Sequence, residues 1–156
     1  MTNLKEQIIA ISKEIGISKI GFTTADNFDY LEKSLRLSQE KGTNSGFEHQ
    51  NIEERIKPKL LLDNAKTIIS IAVAYPNKLP QLPGKSPYKR GNFSSSRWGV
   101  DYHTILTEKM ARLSERIAEL TDDFDHKAMV DTGALVDTAV ARRAGIGFIG
   151  KNGLVI

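Results

Sequence analysis

Cysteine is absent from the 156-residue sequence, and its absence excludes several kinds of functional site. Without a thiolate the chain cannot form a disulfide, ligate an iron–sulfur cluster or act through a cysteine nucleophile. Histidine is scarce as well, and none of the three lies in an H-E-x-x-H-like arrangement: His49, His103 and His126. The sequence therefore predicts no metal site built from this chain alone.

Long apolar runs are also lacking. The longest covers residues 68–75 and is interrupted by Ser70, so it is much shorter than the roughly 18 residues of a membrane-spanning helix. The N-terminus lacks a basic segment followed by an apolar core, and no signal peptide is predicted. With 40% hydrophobic and 26% charged residues, the composition is typical of a folded globular protein. We expect a single domain over residues 1–156, in the cytoplasm and without a membrane partner.

The net charge is only +3, but the basic residues are concentrated in one stretch. Residues 55–97 contain nine basic residues and one acidic residue, Asp63, so they carry +8 and leave −5 for the rest of the chain. Such a stretch favours a polyanionic partner, and the alternative is a lysine-rich loop in contact with solvent. The nine are Arg55, Lys57, Lys59, Lys66, Lys78, Lys85, Lys89, Arg90 and Arg97.

Alternating helix and strand patterns predict a three-layer α/β (α+β) fold, in which helices flank a mixed sheet. Helical spacing marks residues 4–15, 28–41, 105–120 and 135–144, the second of these capped by Asp26 or Asn27. Strand patterns mark residues 17–23, 67–75 as a central strand, 127–130, and 148–149 with 154–156 around a turn. Because an apolar segment is unusual at a terminus, we expect the chain to be a fragment of a longer protein.

Asp131 is the first candidate functional residue, because it follows the predicted strand 127–130 and precedes the helix 135–144. A carboxylate at the carboxyl end of a strand is a typical position for a catalytic group in α/β folds. The same residue could instead cap the helix, although alanine at position 134 rules out a capping box. Both interpretations stay open at the level of the residues.

Two further segments carry polar chemistry. In residues 97–103, Trp98 and Tyr102 could stack on a flat ligand, whereas Asp101 could cap the long helix and Trp98 could belong to the core. Residues 145–151 match both G-x-G-x-x-G and G-x-x-x-x-G-K, but a helix precedes them and Asn152 replaces the usual Ser or Thr. This order favours a glycine-rich turn, with Lys151 and Asn152 as donors, over a nucleotide-binding loop.

Several motifs, taken in order, resemble one protein family. They are KIGFTTA at 19–25, PKLLL at 58–62 leading to Ala65-Lys66, WGVDYH at 98–103, VDTG at 130–133, and ARRAGIGF at 141–148 before Gly150-Lys151-Asn152. Over residues 4–156 the sequence resembles the N-terminal domain of the epoxyqueuosine reductases, and the last two motifs are the most specific. The resemblance implies a fold related to nitroreductase-like and cobalamin reductase proteins.

The resemblance also implies a reaction and its cofactors. The family completes queuosine in tRNA by removing the epoxide oxygen of epoxyqueuosine as water, an oxidoreductase step that consumes two electrons and two protons. It implies cobalamin in this domain and two four-iron four-sulfur clusters in a following cysteine-rich domain that this chain does not contain. The implied partners are the tRNA anticodon loop and an external electron donor that the sequence does not identify. We expect this chain to bind but not to turn over alone.

Roles for single residues follow from the same resemblance. Asp131 would be the proton donor, since an epoxide oxygen leaves poorly as an alkoxide. Residues 55–97 would face phosphates of the anticodon stem. The implied cobalamin contacts are Arg55, Ser94, Lys151, Asn152 and Gly153, and the implied substrate contacts are Trp98, Asp101 and His103.

Two alternatives remain beside this interpretation. One is a corrinoid carrier or reductase that uses the same scaffold without a tRNA substrate. The other is a non-catalytic basic adaptor for nucleic acid, in which Asp131 only caps a helix and binding depends steeply on salt.

Overall fold

A computed structural model describes residues 3–75, 88, 91, 94, 99–131 and 133–156 of the chain. The described helices are α1 (Leu4–Glu14), α2 (Glu32–Glu40), α3 (Ile52–Ile56), α4 (Tyr102–Ala118) and α5 (Asp137–Arg143), and the strands are β1 (Lys19–Thr24) and β2 (Thr67–Ala72). Short 3-10 turns at Asp29–Leu31 and Pro58–Leu60 precede α2 and follow α3. Among the described helices none has the length and apolar character needed to cross a membrane.

The two strands form an antiparallel pair in which Lys19 lies opposite Ala72 and Thr24 opposite Thr67. The β-branched pattern thus identified both strands, although β2 ends at Ala72, before the predicted end at Tyr75. The prediction of a strand at residues 127–130 is wrong, because this segment pairs with no strand among the described residues. This segment and β2 both line a cavity, which separates them.

Helices cover both faces of this sheet. On one face, Ile69 and Ile71 of β2 pack with a buried cluster from α1 and α4 that includes Ile11 and Leu113. On the other face, Ile68 packs with a cluster that contains Phe28, Ile56 and residues of α5. The expected α+β class, with helices on either side of a sheet, is confirmed. The described sheet, however, is two-stranded and antiparallel, not mixed.

The start of α2 differs from the prediction that Asp26 or Asn27 caps it. Asp26 Oδ2 instead accepts a hydrogen bond of 2.5 Å from Thr24 Oγ1. Phe28 is buried, and its N–H donates to the carbonyl of Ile56 at 2.8 Å. These contacts hold the chain in a 3-10 turn before α2 begins at Glu32. Burial of one aromatic ring therefore overrides the local capping signal.

Helix α5 is fastened to β1 at its C-terminal end. Arg143 donates to Thr23 Oγ1 at 3.1 Å and to the carbonyls of Asn27 and Thr24 at 3.2 and 2.8 Å, and its guanidinium lies 3.4 Å from the ring centroid of Phe28. Gly21 of β1 approaches this end so closely that a Cβ there would lie 2.2 Å from the carbonyl oxygen of Ala144. These contacts therefore fix the position of α5 on β1, and with it the end of the chain that runs from Asp131 into this helix.

Candidate active site

Asp131 has a left-handed backbone conformation, with φ of 54°, and it is the one non-glycine residue of the described chain with a positive φ. For a residue with a Cβ this conformation costs roughly 1–2 kcal/mol, so other contacts must hold it in place. The cap interpretation of Asp131 is wrong, because α5 begins at Asp137 with Val136 in the N-cap position. Helix capping therefore does not explain the Asp131 carboxylate.

Tyr102, the first residue of α4, holds the Asp131 side chain. Its Oη donates a hydrogen bond of 2.6 Å to Asp131 Oδ2. The Asp131 side chain remains 59% exposed, so a substrate can reach it from solvent. The sequence predicted only that Tyr102 could stack on a flat ligand. Its hydrogen bond to Asp131 is visible only in the tertiary structure.

His103 contacts the same carboxylate and also contacts the carboxylate of Asp101. Its Nε2 is 3.4 Å from Asp131 Oδ2, while its Nδ1 is 2.7 Å from Asp101 Oδ1. The ring stacks on Tyr102 with 4.0 Å between centroids. Because an ionised carboxylate only accepts hydrogen bonds, His103 Nδ1 carries the proton in this pair and Nε2 faces Asp131. The His103 ring therefore lies between the carboxylates of Asp101 and Asp131, with one ring nitrogen toward each.

Asp101 also positions His103 through the backbone. Its Oδ1 accepts a hydrogen bond of 2.8 Å from the N–H of His103 and so caps α4, which confirms that Asp101 can cap the long helix. A capping carboxylate is stabilised by the exposed N–H groups and the dipole of the helix. The cap thus fixes where Tyr102 and His103 stand relative to the Asp131 loop. Among the described residues, no group of three or more His, Asp or Glu side chains is arranged to hold a metal ion.

A second carboxyl group stands near the first. Asp137, at the start of α5, lines the same cavity as Asp131. Partial removal from water raises the pKa of Asp137 to about 6, and the negative charge of Asp131 adds to the effect. Asp137 remains in contact with solvent. Its pKa is therefore raised by partial desolvation at the entrance of the cavity and not by full burial. An acid in the first turn of a helix is common as a partner of the helix dipole, so the sequence alone does not mark Asp137 as a functional residue.

The cavity itself has a volume of about 380 Å³ and is mainly aliphatic. Its walls are the segment 58–65, β2, the facing side of α4, the segment 124–131 and the start of α5. None of Arg55, Lys151, Asn152 and Gly153 lines it. The cavity is therefore separate from the residues that the family resemblance assigns to cobalamin.

Those residues occupy two exposed or half-exposed positions on the described chain. Arg55 belongs to the short helix α3, and Lys151, Asn152 and Gly153 form the turn between Ile149 and Val155, which pair as a bridge. This pairing confirms the two short apolar segments predicted around the turn. Asn152 Oδ1 accepts from the N–H of Leu154 at 3.2 Å, and Gly153 has a φ of 79°. Within the described part of the chain, no ion pair engages Arg55 or Lys151, and no hydrogen bond joins either of them to Asp131.

The remaining predicted residues are placed as follows. Ser94 is exposed. Trp98 lies outside the described residues, as do five of the basic residues of the 55–97 stretch: Lys78, Lys85, Lys89, Arg90 and Arg97. Of the described four, Lys57 forms an ion pair of 2.5 Å with Glu53. Helix α5 precedes the glycine-rich segment, and Ile149 within the segment pairs with Val155. No helix begins after it among the described residues, so the segment is a turn and not a phosphate-binding loop.

A family comparison places this geometry in context. Residues 55–132, half of the chain, match the family described as "Epoxyqueuosine reductase QueG, DUF1730". The chain belongs to the epoxyqueuosine reductase family. The matched range includes Arg55, Asp101, His103 and Asp131, so the candidate cluster lies within it. The resemblance inferred from the sequence motifs is thereby confirmed.

Whole-chain comparisons agree. An epoxyqueuosine reductase of Lactococcus garvieae is 55% identical over 100% of this chain and 44% of the relative. The structure of the Streptococcus thermophilus enzyme is 68% identical with a TM-score of 0.94, over 99% of this chain and 42% of that chain. This chain therefore spans less than half the length of each of these two proteins.

Two further structures of relatives contain a bound tRNA stem loop or a displaced catalytic loop. A crystal structure of an epoxyqueuosine reductase with an epoxyqueuosine-modified tRNA-Tyr stem loop is 48% identical, with a TM-score of 0.92 over 97% of this chain and 40% of that chain. A Bacillus subtilis structure, 46% identical with a TM-score of 0.90 over the same shares, is described with an aspartate catalytic loop swung out of the active site.

Proposed function

We propose that this chain is the N-terminal, cobalamin- and substrate-binding part of an enzyme that reduces epoxyqueuosine to queuosine in tRNA. The observation that carries the proposal is the cluster around Asp131. A carboxyl group on a strained loop is held by Tyr102 at 2.6 Å and faced by His103 at 3.4 Å, with 59% of its side chain open to a substrate. A residue that its surroundings hold in an unfavourable backbone conformation is typical of catalytic sites.

The reaction requires a proton donor where this cluster lies. Converting an epoxide to an alkene takes up two electrons and two protons and releases the oxygen as water. Asp131 donates a proton to the oxygen as its bond to carbon breaks, because a neutral hydroxyl leaves more readily than an alkoxide. His103, held by Asp101 through Nδ1–H, carries a proton on Nε2 as well when its ring is doubly protonated, and in that form it can return this proton to Asp131 and become neutral. Tyr102 keeps the carboxyl group in the orientation that this transfer requires.

The chemistry of the assigned donors fits cobalamin, which carries amide side chains and one phosphate. Arg55 and Lys151 have no ionic partner in the described chain, and the amide nitrogen of Asn152 remains available because its Oδ1 serves Leu154 N. Exposed apolar residues on the same turn, Phe148 and Leu154, suit a flat macrocycle. When bound, the cobalt centre would supply the electrons. Since this chain has no cysteine, the iron–sulfur clusters of the proposed enzyme would be ligated by the rest of the protein.

The tRNA substrate is supported by the relative whose structure contains an epoxyqueuosine-modified stem loop. Asp101 and His103 lie beside Asp131 and would contact the modified base, as would Trp98 in the proposed complex. Lys59 and Lys66, with the basic residues that follow them up to Arg97, would contact backbone phosphates. An enzyme with this substrate would work in the cytoplasm and would draw electrons from an external donor.

The decisive experiment compares wild-type and Asp131→Asn full-length protein. Queuosine formed in epoxyqueuosine-containing tRNA is measured by mass spectrometry, and cob(II)alamin binding is measured anaerobically by visible absorption. Asp131→Asn should bind cobalamin as the wild type does and form no queuosine. Asp122→Asn, which changes an exposed acid after α4, should bind cobalamin and form queuosine at the wild-type rate. Wild-type turnover by Asp131→Asn would remove Asp131 from the mechanism.

The wild-type protein alone distinguishes the other functions. Cobalamin binding without reduction of the tRNA would favour a corrinoid carrier or reductase. Binding of tRNA that weakens steeply with salt, with no affinity for cobalamin, would favour a nucleic-acid adaptor.

A further inference from the structure

Strand β2 has one edge that no described strand covers. Its antiparallel partner β1 occupies the other edge, in the register Thr24 opposite Thr67. The N–H of Ala25 donates to the carbonyl of Lys66 at 3.1 Å, so the backbone groups of even-numbered residues in this strand point toward β1. By alternation, those of Thr67, Ile69 and Ile71 point toward the open edge.

The composition of β2 is unusual for an edge. The strand is nearly continuous in β-branched and apolar residues, and it contains neither a charge nor a proline. Natural edge strands are blunted by such residues, because an unpaired apolar edge invites further pairing. Ile68, Ile69 and Ile71 are only partly buried in the described structure. The sequence of β2 is thus that of a strand with a neighbour on each side.

The cavity beside this edge has the length of a short strand. Five consecutive residues of β2, 67–71, line one side, and residues 124–131 line the opposite side. A wall of five strand residues is about 17 Å long at about 3.4 Å per residue, which suits an extended segment. Leu106 and Met110 of α4 cover one face of this slot, and Val140 and Ala141 of α5 cover the other. A strand placed here would direct alternate side chains to the two helical layers.

We propose that a β-strand from the part of the protein beyond this chain fills the slot in the full-length enzyme, pairs with the open edge of β2 and extends the sheet toward residues 124–131. The relatives provide the length for it, since this chain matches only 44% of the Lactococcus garvieae protein. The strand would be uncharged and apolar on both faces, because the lining above and below is aliphatic. It would also support the Asp131 loop, which ends the opposite wall.

Amide hydrogen exchange in the full-length protein, resolved to single residues, tests whether the edge is paired. The amides of Thr67, Ile69 and Ile71 should have protection factors of the same order as those of Ile68 and Ser70, which point to β1 and are the internal control. Exchange of the first three at the rate of unprotected amides, with Ile68 and Ser70 still protected, would overturn the proposal.

Photo-crosslinking identifies the occupant. Met110 and Met129 line opposite walls of the slot, so photo-methionine replaces a side chain on each side. In a mixture of isotopically light and heavy full-length copies, both positions should crosslink within one copy to the same segment beyond residue 156. Met110→Leu should remove its crosslink and leave that of Met129. Crosslinks only to residues 1–156, or between light and heavy copies, would show that another segment or a second molecule fills the slot and would overturn the proposal.

Discussion

Tyr102 Oη and Asp131 Oδ2 are joined by a hydrogen bond of 2.6 Å across 29 positions of sequence. The bond connects the first turn of a long helix to a loop whose backbone is strained. Tyr102 and His103, the first two residues of α4, both contact the Asp131 carboxylate, and Asp101 caps the helix and contacts His103. The acid is therefore oriented by a rigid element and not by its own loop.

Replacing Tyr102 with phenylalanine tests this orientation. A single hydrogen bond contributes about 1 kcal/mol, so Tyr102→Phe in the full-length enzyme should lower the rate of queuosine formation by roughly fivefold to tenfold. The midpoint of thermal unfolding should stay unchanged, because the bond lies at the surface. Tyr30→Phe removes a hydroxyl from another exposed tyrosine and should leave the rate at the wild-type value. A Tyr102→Phe enzyme of full activity would contradict the positioning role.

The left-handed backbone at Asp131 predicts an inverted order of stability for two substitutions. At an ordinary position alanine stabilises a protein relative to glycine, but at a positive φ the order reverses. Asp131→Gly should therefore be more stable than Asp131→Ala by about 1 kcal/mol, and neither variant should form queuosine. Urea unfolding of the two variants provides the measurement. Greater stability of the alanine variant would show that φ at position 131 is negative in solution.

The raised pKa of Asp137 predicts a pH dependence of stability. Its carboxyl group keeps its proton in the native state up to about pH 6, whereas in the unfolded state it loses it near its ordinary value of 3.8. The native state thus binds the proton more tightly, and the free energy of unfolding falls as the pH rises through this interval. Asp137→Asn should remove this fall.

The comparison uses thermal unfolding midpoints at pH 4 and pH 7. The wild type should lose more on going to pH 7 than Asp137→Asn, and Asp63→Asn, in the loop before β2, should behave as the wild type. Equal pH dependence in the wild type and Asp137→Asn would mean that the cavity mouth does not perturb Asp137.

The anchor of α5 gives a fourth prediction. Arg143 donates to three acceptors and lies over Phe28, a geometry that lysine cannot reproduce with a single ammonium group. Arg143→Lys should lower the free energy of unfolding by about 1–3 kcal/mol. Arg142→Lys changes the exposed neighbouring arginine and should cost little. Equal effects of the two substitutions would show that the fork of Arg143 does not stabilise the fold.

Local sequence determined the elements whose signals are local. The spacing of Leu4, Ile8 and Ile11 and the glycine at position 16 defined α1, and Asp101 was recognised as a possible cap of α4. In contrast, the sequence did not predict the short helix α3. Asn51 caps this helix, because its Oδ1 accepts a hydrogen bond of 3.1 Å from the N–H of Glu53. Five residues are too few to show helical periodicity.

The sequence by itself determined the class of fold, the two paired strands and the motifs that identify the family. These depend on apolar periodicity and on the order of residues, which are properties of the chain alone. Only the tertiary structure decided that Asp131 is not a cap, that Tyr102 and His103 hold it, and that Asp137 shares its cavity. Each of these features depends on the backbone conformation at Asp131 or on contacts between residues that are distant in sequence. Such contacts are set by how the helices pack on the sheet.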